Sequence, residues 1–327
     1  MREAGSASIK SMAVCAAMLA LVTSCKPKAK APAPAGPAAD TPVIYTTTYP
    51  LKYFAERIGR GDVRVKCPVP AEPEAFLRNM SPGIIEGYQK ADLVVINGAG
   101  YEKWVEVACL NESRIVDTAR PCKDGLIEID AVTHSHGPGG DHTHKGIDSH
   151  IWLDPVYAKL QAREIANAMS GRFPAHASDF EKGFSSLAED LAGLDRLFSA
   201  ATEQYDGRAI LASHPSYSYV ARRYGWDVVN PKVGLDPKDM PDDRTRSELR
   251  RVLAARPAGL VLWQTPPAAE VAEGLRRELG LRGVVFSPCR ELSEEDVRAG
   301  LSYLDVMRRN AENMRKAFAG ARDDGRS

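Results

Sequence analysis

No charge of one sign prevails in these 327 residues: Lys+Arg and Asp+Glu both number 43. No basic block stands out along the chain either, which removes the electrostatic footprint that nucleic-acid binding requires. Long apolar runs are also missing. The one from Met12 to Val22 is too short to cross a bilayer as a helix, so a polytopic membrane protein is excluded. Neither a G-x-x-x-x-G-K phosphate loop nor an H-E-x-x-H signature occurs, which speaks against nucleotide hydrolysis and against the familiar zinc proteases. Cysteine is scarce, with six residues. What remains is 44% hydrophobic and 26% charged, enough apolar material for two domain-sized cores.

The N-terminus reads as an export signal. Arg2 and Lys10 form a basic region, Met12 to Val22 is the apolar stretch, and Thr23 and Ser24 precede Cys25. A cysteine after two small residues resembles the lipobox of bacterial lipoproteins, with Val22 where leucine is commoner, so Cys25 is expected to carry the lipid. The following Pro/Ala-rich segment reads as a semi-rigid tether that lifts a folded part off a membrane. The expected localisation is therefore extracytoplasmic, anchored to a membrane that faces the periplasm or the cell exterior. In such an oxidising compartment the remaining Cys67, Cys109, Cys122 and Cys289 suggest disulfides. Cys109 and Cys122, close in sequence, are expected to pair; the use of Cys67 and Cys289 is left open.

From Val43 onward, short β-branched runs alternate with helical patterns. VIYTTTYP, DVRVKCPV, DLVVING and RIVDTA read as strands in the first half, with helices between the first three and after the third. RAILASHP, WDVVNP, GLVLWQ and GVVFSP repeat the scheme in the second half. Strands alternating with helices imply parallel sheets covered on both faces. Between the halves, Phe180, Phe184, Leu187, Leu191, Leu194 and Phe198 recur at steps of three and four, the mark of one continuous amphipathic helix. The expected fold class is α/β: two Rossmann-like parallel-sheet domains joined by one long helix, with a cleft between them. The expected organisation is a leader at 1–25, a tether at 26–42, an N-terminal domain at 43–174, a linker helix at 175–205, a C-terminal domain at 206–320 and a tail at 321–327.

Five of the seven histidines fall between His134 and His150. His134, His136, His142 and His144 lie in a Gly- and Pro-rich loop (134–146), a composition suited to weak, adaptable binding of a borderline-soft divalent ion such as Zn²⁺. His150 is different, because apolar Ile151, Trp152 and Leu153 follow it in DSHIWLDP and suggest burial. His214 follows the strand Arg208 to Ala212, and ligands of open α/β sheets bind outside the carboxyl ends of strands. Glu74 likewise follows a strand end. Together Glu74, His150 and His214 form an N,N,O donor set that suits Zn²⁺.

With these residues in view, the chain from Val43 to about Ala319 resembles the zinc- and manganese-specific solute-binding proteins of bacterial ABC importers, the group typified by ZnuA and TroA. TTTYPLKYFAERIGRGDVRV is similar to that family's opening strand and helix, and KADLVVINGAGYEKW to its third strand and turn. DSHIWLDP and SHPSYSYVARRYG resemble its second and third metal-ligand motifs, giving His150 and His214. The His-rich loop is typical of zinc-specific members. Two departures stand out. Pro73-Glu74 replaces the usual Pro-His, and VVFSPCREL stands where some members supply an aspartate, with Pro288 near that position. The resemblance implies a monomeric binding protein, not an enzyme, with Zn²⁺ as cargo and a membrane permease and its ATPase as partners. Water, a bidentate Glu74, Cys289 or Glu291 would complete the coordination. Alternatives are a manganese or other divalent-metal binder, a metal-dependent surface adhesin and, more remotely, a zinc hydrolase, for which no general base or oxyanion motif is found.

Overall fold

The expected β-branched runs become strands, and each pairs in parallel with its neighbours. The computed structural model describes residues 41–68, 81–129 and 146–324, with side-chain environments up to residue 320. The leader with Cys25, nearly all of the tether, Glu74 and the loop residues His134, His136, His142 and His144 lie outside the described residues.

In the first half, β1 (Val43–Thr46) leads into α1 (Tyr49–Gly59) and β2 (Arg64–Lys66), then α2 (Pro82–Lys90), β3 (Leu93–Ile96) and β4 (Ile115–Asp117). A small antiparallel pair, β5 (Glu128–Ile129) and β6 (Gly146–Ile147), brackets the His-rich segment. Next come α3 (Pro155–Arg172) and α4 (Ala177–Thr202). The second half runs β7 (Ala209–Ala212), α5 (Ser218–Tyr224), β8 (Val228–Val229), α6 (Asp243–Ala255), β9 (Ala258–Trp263), α7 (Ala269–Leu279), β10 (Arg282–Val285), α8 (Glu294–Arg298) and α9 (Tyr303–Asp324). After β3, where a helix was expected, the chain makes only two 3₁₀ turns, Lys103–Val107 and Glu112–Arg114. Gly98, Ala99 and Gly100 all take positive φ there, which breaks any helical start, and buried Trp104 packs beside Tyr88 instead.

The two sheets are wound alike, in the orders β2-β1-β3-β4 and β8-β7-β9-β10. In each, the first strand sends its chain to one side and then back to the other. The crevice of an open sheet forms at such a reversal, here beyond the carboxyl ends of β1 and β3 and of β7 and β9.

The long helix α4 carries its six apolar positions as a buried stripe, from Phe180 to Phe198. It packs against α1 and α3 of the first lobe and against α9, which returns from the second. One hydrophobic cluster therefore runs through both lobes, taking in Ile44, Phe54, Trp152, Phe198, Ile210 and Phe286. Gly183 lets α4 lie directly on α1, for a Cβ at that position would meet the Ile58 carbonyl oxygen at 2.3 Å. No helix among the described residues is long and apolar enough to cross a membrane.

Candidate metal centre

The segment carrying His150 is built from two local signals. Asp154 and Pro155 open α3: the aspartate accepts from the amides of Val156 and Tyr157, and proline fills a first-turn position whose N–H would have no partner. Six residues before Asp154, Asp148 Oδ1 accepts from the His150 amide at 2.9 Å, an Asx-turn that bends the chain at the histidine. The same oxygen lies 2.7 Å from His150 Nδ1.

This second contact decides the chemistry of the ring. Burial would raise the Asp148 carboxyl, but the hydrogen bonds from the His150 ring and amide outweigh it and hold the group below the usual carboxylate range. An ionised carboxylate only accepts, so Nδ1 carries a proton, and in the neutral imidazole the lone pair then sits on Nε2. His150 Nε2 is buried and has no hydrogen-bond partner among the described residues. A buried lone pair facing no donor is costly in a resting protein, and it is the arrangement a metal ion satisfies.

Long-range bonds fix the segment between the lobes. From the first lobe, the Asn97 carboxamide at the end of β3 donates to the Ser149 carbonyl at 3.0 Å. From the second, the Tyr219 hydroxyl donates to the Asp148 carbonyl at 2.8 Å. Trp152 Nε1 donates to the Pro288 carbonyl at 2.7 Å, and the Tyr303 hydroxyl to the Trp152 carbonyl at 2.6 Å. His214 emerges beyond β7, at the reversal point of the second sheet. Ser213 N before it bonds to the Leu262 carbonyl, and Ser216 N folds back onto the His214 carbonyl at 2.9 Å. The His214 side chain is exposed.

Behind Asn97 lies a buried carboxylate that no sequence signal singled out. Glu102 accepts from the Thr47 hydroxyl, from Asn97 N at 2.7 Å and from Gly98 N at 3.0 Å. Burial pushes its carboxyl up to about 7, against the lowering pull of those three donors. Gly98 adopts φ +78, and a Cβ on it would meet Asp117 Oδ1 at 1.9 Å, so only glycine fits this turn. Glu102 thus joins the loops beyond β1 and β3 and sets the position of Asn97.

His150 and His214 accordingly stand on segments that meet where the lobes join, while Glu74 lies outside the described residues. Among the described residues no group of three or more His, Cys, Asp or Glu side chains is gathered tightly enough to hold a metal ion. Cys289, one candidate for completing the set, is fully buried in the shared core, and desolvation raises its thiol far above the ordinary range. A thiol so placed is a poor source of thiolate. Glu291 is exposed and lines a cavity of about 440 Å³ with Arg290 and Arg309.

The bridge expected between Cys109 and Cys122 is not formed; both thiols are free. Cys109 is exposed near the amino end of β4, next to Ala108, whose carbonyl accepts from Gln89 of α2. Cys122 is buried with Ala119, Ile151 and Tyr219 beyond the strand's carboxyl end. A strand separates them, and a disulfide needs α-carbons within about 7 Å. Closeness in sequence misled here. Asp148, by contrast, could have been found from its place two residues before His150, the spacing of an Asx-turn. Tyr219 and Asn97 act across the fold and left no local mark.

The family model described as zinc-uptake complex component A, periplasmic (ZnuA), matches residues 44–317. Among curated relatives, the zinc-binding lipoprotein AdcA of Streptococcus pneumoniae is 27% identical over 278 residues, covering 84% of this chain and 55% of that protein. The high-affinity zinc uptake system protein ZnuA of Bacillus subtilis is 26% identical over 287 residues, covering 84% of this chain and 87% of that one. The chain thus spans about half the length of the AdcA proteins it matches. Of solved structures, the metal-dependent lipoprotein YcdH from Bacillus subtilis superposes with a TM-score of 0.72 at 23% identity, covering 84% of this chain and 98% of that one. Zn(II)-bound AdcA from Streptococcus pneumoniae gives 0.71 at 24% identity, covering 84% and 57%. At these identities the structural likeness is one of fold.

Proposed function

The chain belongs to the family of periplasmic zinc-uptake complex component A proteins, and from that premise we propose that it is the extracytoplasmic solute-binding component of an ABC importer, capturing Zn²⁺ and delivering it to a membrane permease driven by an ATPase. It carries out no reaction on its cargo. The observation that carries this reading is the buried, unpartnered Nε2 of His150, held in its metal-binding tautomer by Asp148 where the two lobes meet. His214 supplies the second imidazole from the facing lobe, and Glu74 the carboxylate that replaces the family's first histidine. Two imidazoles and one carboxylate are a donor set that zinc accepts readily.

The core shared through α4 and α9 supports small rotations of the lobes rather than a wide hinge. Separating His150 from His214 by such a rotation releases the ion. The loop histidines His134, His136, His142 and His144 gather metal more weakly than the cleft. Lipidation at Cys25 keeps the protein, as a monomer, tethered at the membrane beside its permease.

The test is a competitive chelator titration of leader-free protein lacking residues 134–144, run with Zn²⁺ and Mn²⁺ separately. One tight zinc site, much weaker for manganese and abolished by His214→Ala, is the expected result. Zinc binding only when the loop is present would refute the cleft as the capture site.

A further inference from the structure

Between the two histidines stands a tyrosine to which the family motifs assign no role. Tyr219 lies in the first turn of α5, the helix entered directly from the His214 loop. Its side chain is fully buried. The hydroxyl donates to the Asp148 carbonyl at 2.8 Å and accepts from Ile127 N at 3.2 Å. Asp148 N in turn donates to the Ile127 carbonyl at 2.9 Å. One phenol therefore closes a ring of bonds at the base of the β5–β6 pair, on the residue whose carboxylate holds His150.

We infer that Tyr219 is a positioning residue: its hydroxyl ties the segment carrying His150 to the loop carrying His214, so that the two imidazoles are held in register for one ion. The inference rests on the zinc-capture reading above. Two bonds link the phenol to the His150 ring, through the backbone and carboxylate of Asp148, and five residues of chain link it to His214. The ring is braced independently of the hydroxyl. It packs edge-on against Tyr157 at 5.8 Å between centroids and beneath the Arg222 guanidinium at 5.4 Å. Removing the oxygen alone thus frees the Asp148 carbonyl while the aromatic packing stays. Burial raises the phenol to about 12, so it remains a neutral donor throughout the range in which zinc binds.

A tyrosine that merely satisfied a buried carbonyl would have the same contacts, and a mutant cycle separates the two roles. Zinc affinity and dissociation rate are measured by chelator competition on the full leader-free chain, for Tyr219→Phe in the wild-type and the His150→Ala backgrounds. Acting through His150, Tyr219→Phe weakens zinc about tenfold in the wild-type background, mostly as faster dissociation, and by less than twofold once His150 is gone. Equal losses in both backgrounds, or none in the first, overturn the inference while leaving the capture site intact. A wild-type affinity indifferent to His150→Ala sinks the capture reading itself, and this inference with it. Should Tyr219→Phe fail to fold, 3-fluorotyrosine placed at position 219 changes the hydroxyl's donor strength at nearly constant size. It is expected to alter the zinc dissociation rate only where His150 is present; an unaltered rate overturns the inference.

Discussion

Replacing Asp148 in two ways separates charge from geometry at the candidate site. One oxygen, Oδ1, receives both the His150 amide at 2.9 Å and the ring Nδ1 at 2.7 Å. In Asp148→Asn the carboxamide oxygen can take over both bonds, so the tautomer and ring orientation survive and only the charge is lost. A hydrogen bond to a charged acceptor is worth about 1.5–3 kcal/mol and a neutral one about 0.5–1.5 kcal/mol. The difference of about 1 kcal/mol predicts that Asn weakens zinc about fivefold. Asp148→Ala removes both bonds and frees the ring to turn or change tautomer, and losing such a partner of a metal-bound histidine costs about 10–100-fold. The assay is chelator competition at fixed pH rather than a zinc-induced thermal shift, because Ala also strands two buried donors and lowers the stability of the metal-free protein. Wild-type affinity in both variants would show that His150 Nε2 does not bind the ion. An Asn variant as damaged as Ala would refute the argument that geometry dominates charge.

Other consequences concern the frame around the site. Gly183→Ala drives a Cβ into the backbone of α1 and is expected to cost about 2 kcal/mol, whereas Gly193→Ala on the same helix meets only the flexible end of Arg196 at 3.6 Å and should stabilise by about 0.5–1 kcal/mol; urea titrations that rank the two alike would count against the close approach. The Glu102 carboxyl is raised from 4.5 to about 7 on folding, so the folded state holds its proton more tightly and this group's contribution to stability declines as pH rises from about 4.5 through 7. By linkage the decline is about 3 kcal/mol, and the stability gap between wild type and Glu102→Gln should change by that order across the window; parallel pH profiles would contradict it. In the native protein a thiol reagent should modify exposed Cys109 first, while buried Cys122 and Cys289 react only after unfolding. Mass spectrometry that finds Cys109 and Cys122 linked would overturn the free-thiol assignment.

Much of the fold is written locally. Four β-branched runs in each half alternate with helices because the short and long periods of apolar residues differ, and the eight strands of the two parallel sheets formed where those runs lie. The stripe from Phe180 to Phe198 spelled out α4. His214 was legible as a site residue because it stands just past a strand, where the open sheet leaves its crevice. Beyond that range the sequence is silent. Trp152 and Pro288 are 136 positions apart, Tyr219 and Asp148 are 71 apart, and Asn97 and Ser149 are 52 apart, yet these bonds hold the His150 segment in place. Cys109 and Cys122 show the reverse, neighbours in sequence that lie toward opposite ends of one strand. Periodicity, capping and turn chemistry act over a few residues and leave a pattern in the chain. A hydrogen bond across the lobes depends on where two backbones arrive after packing, and only the assembled core decides that.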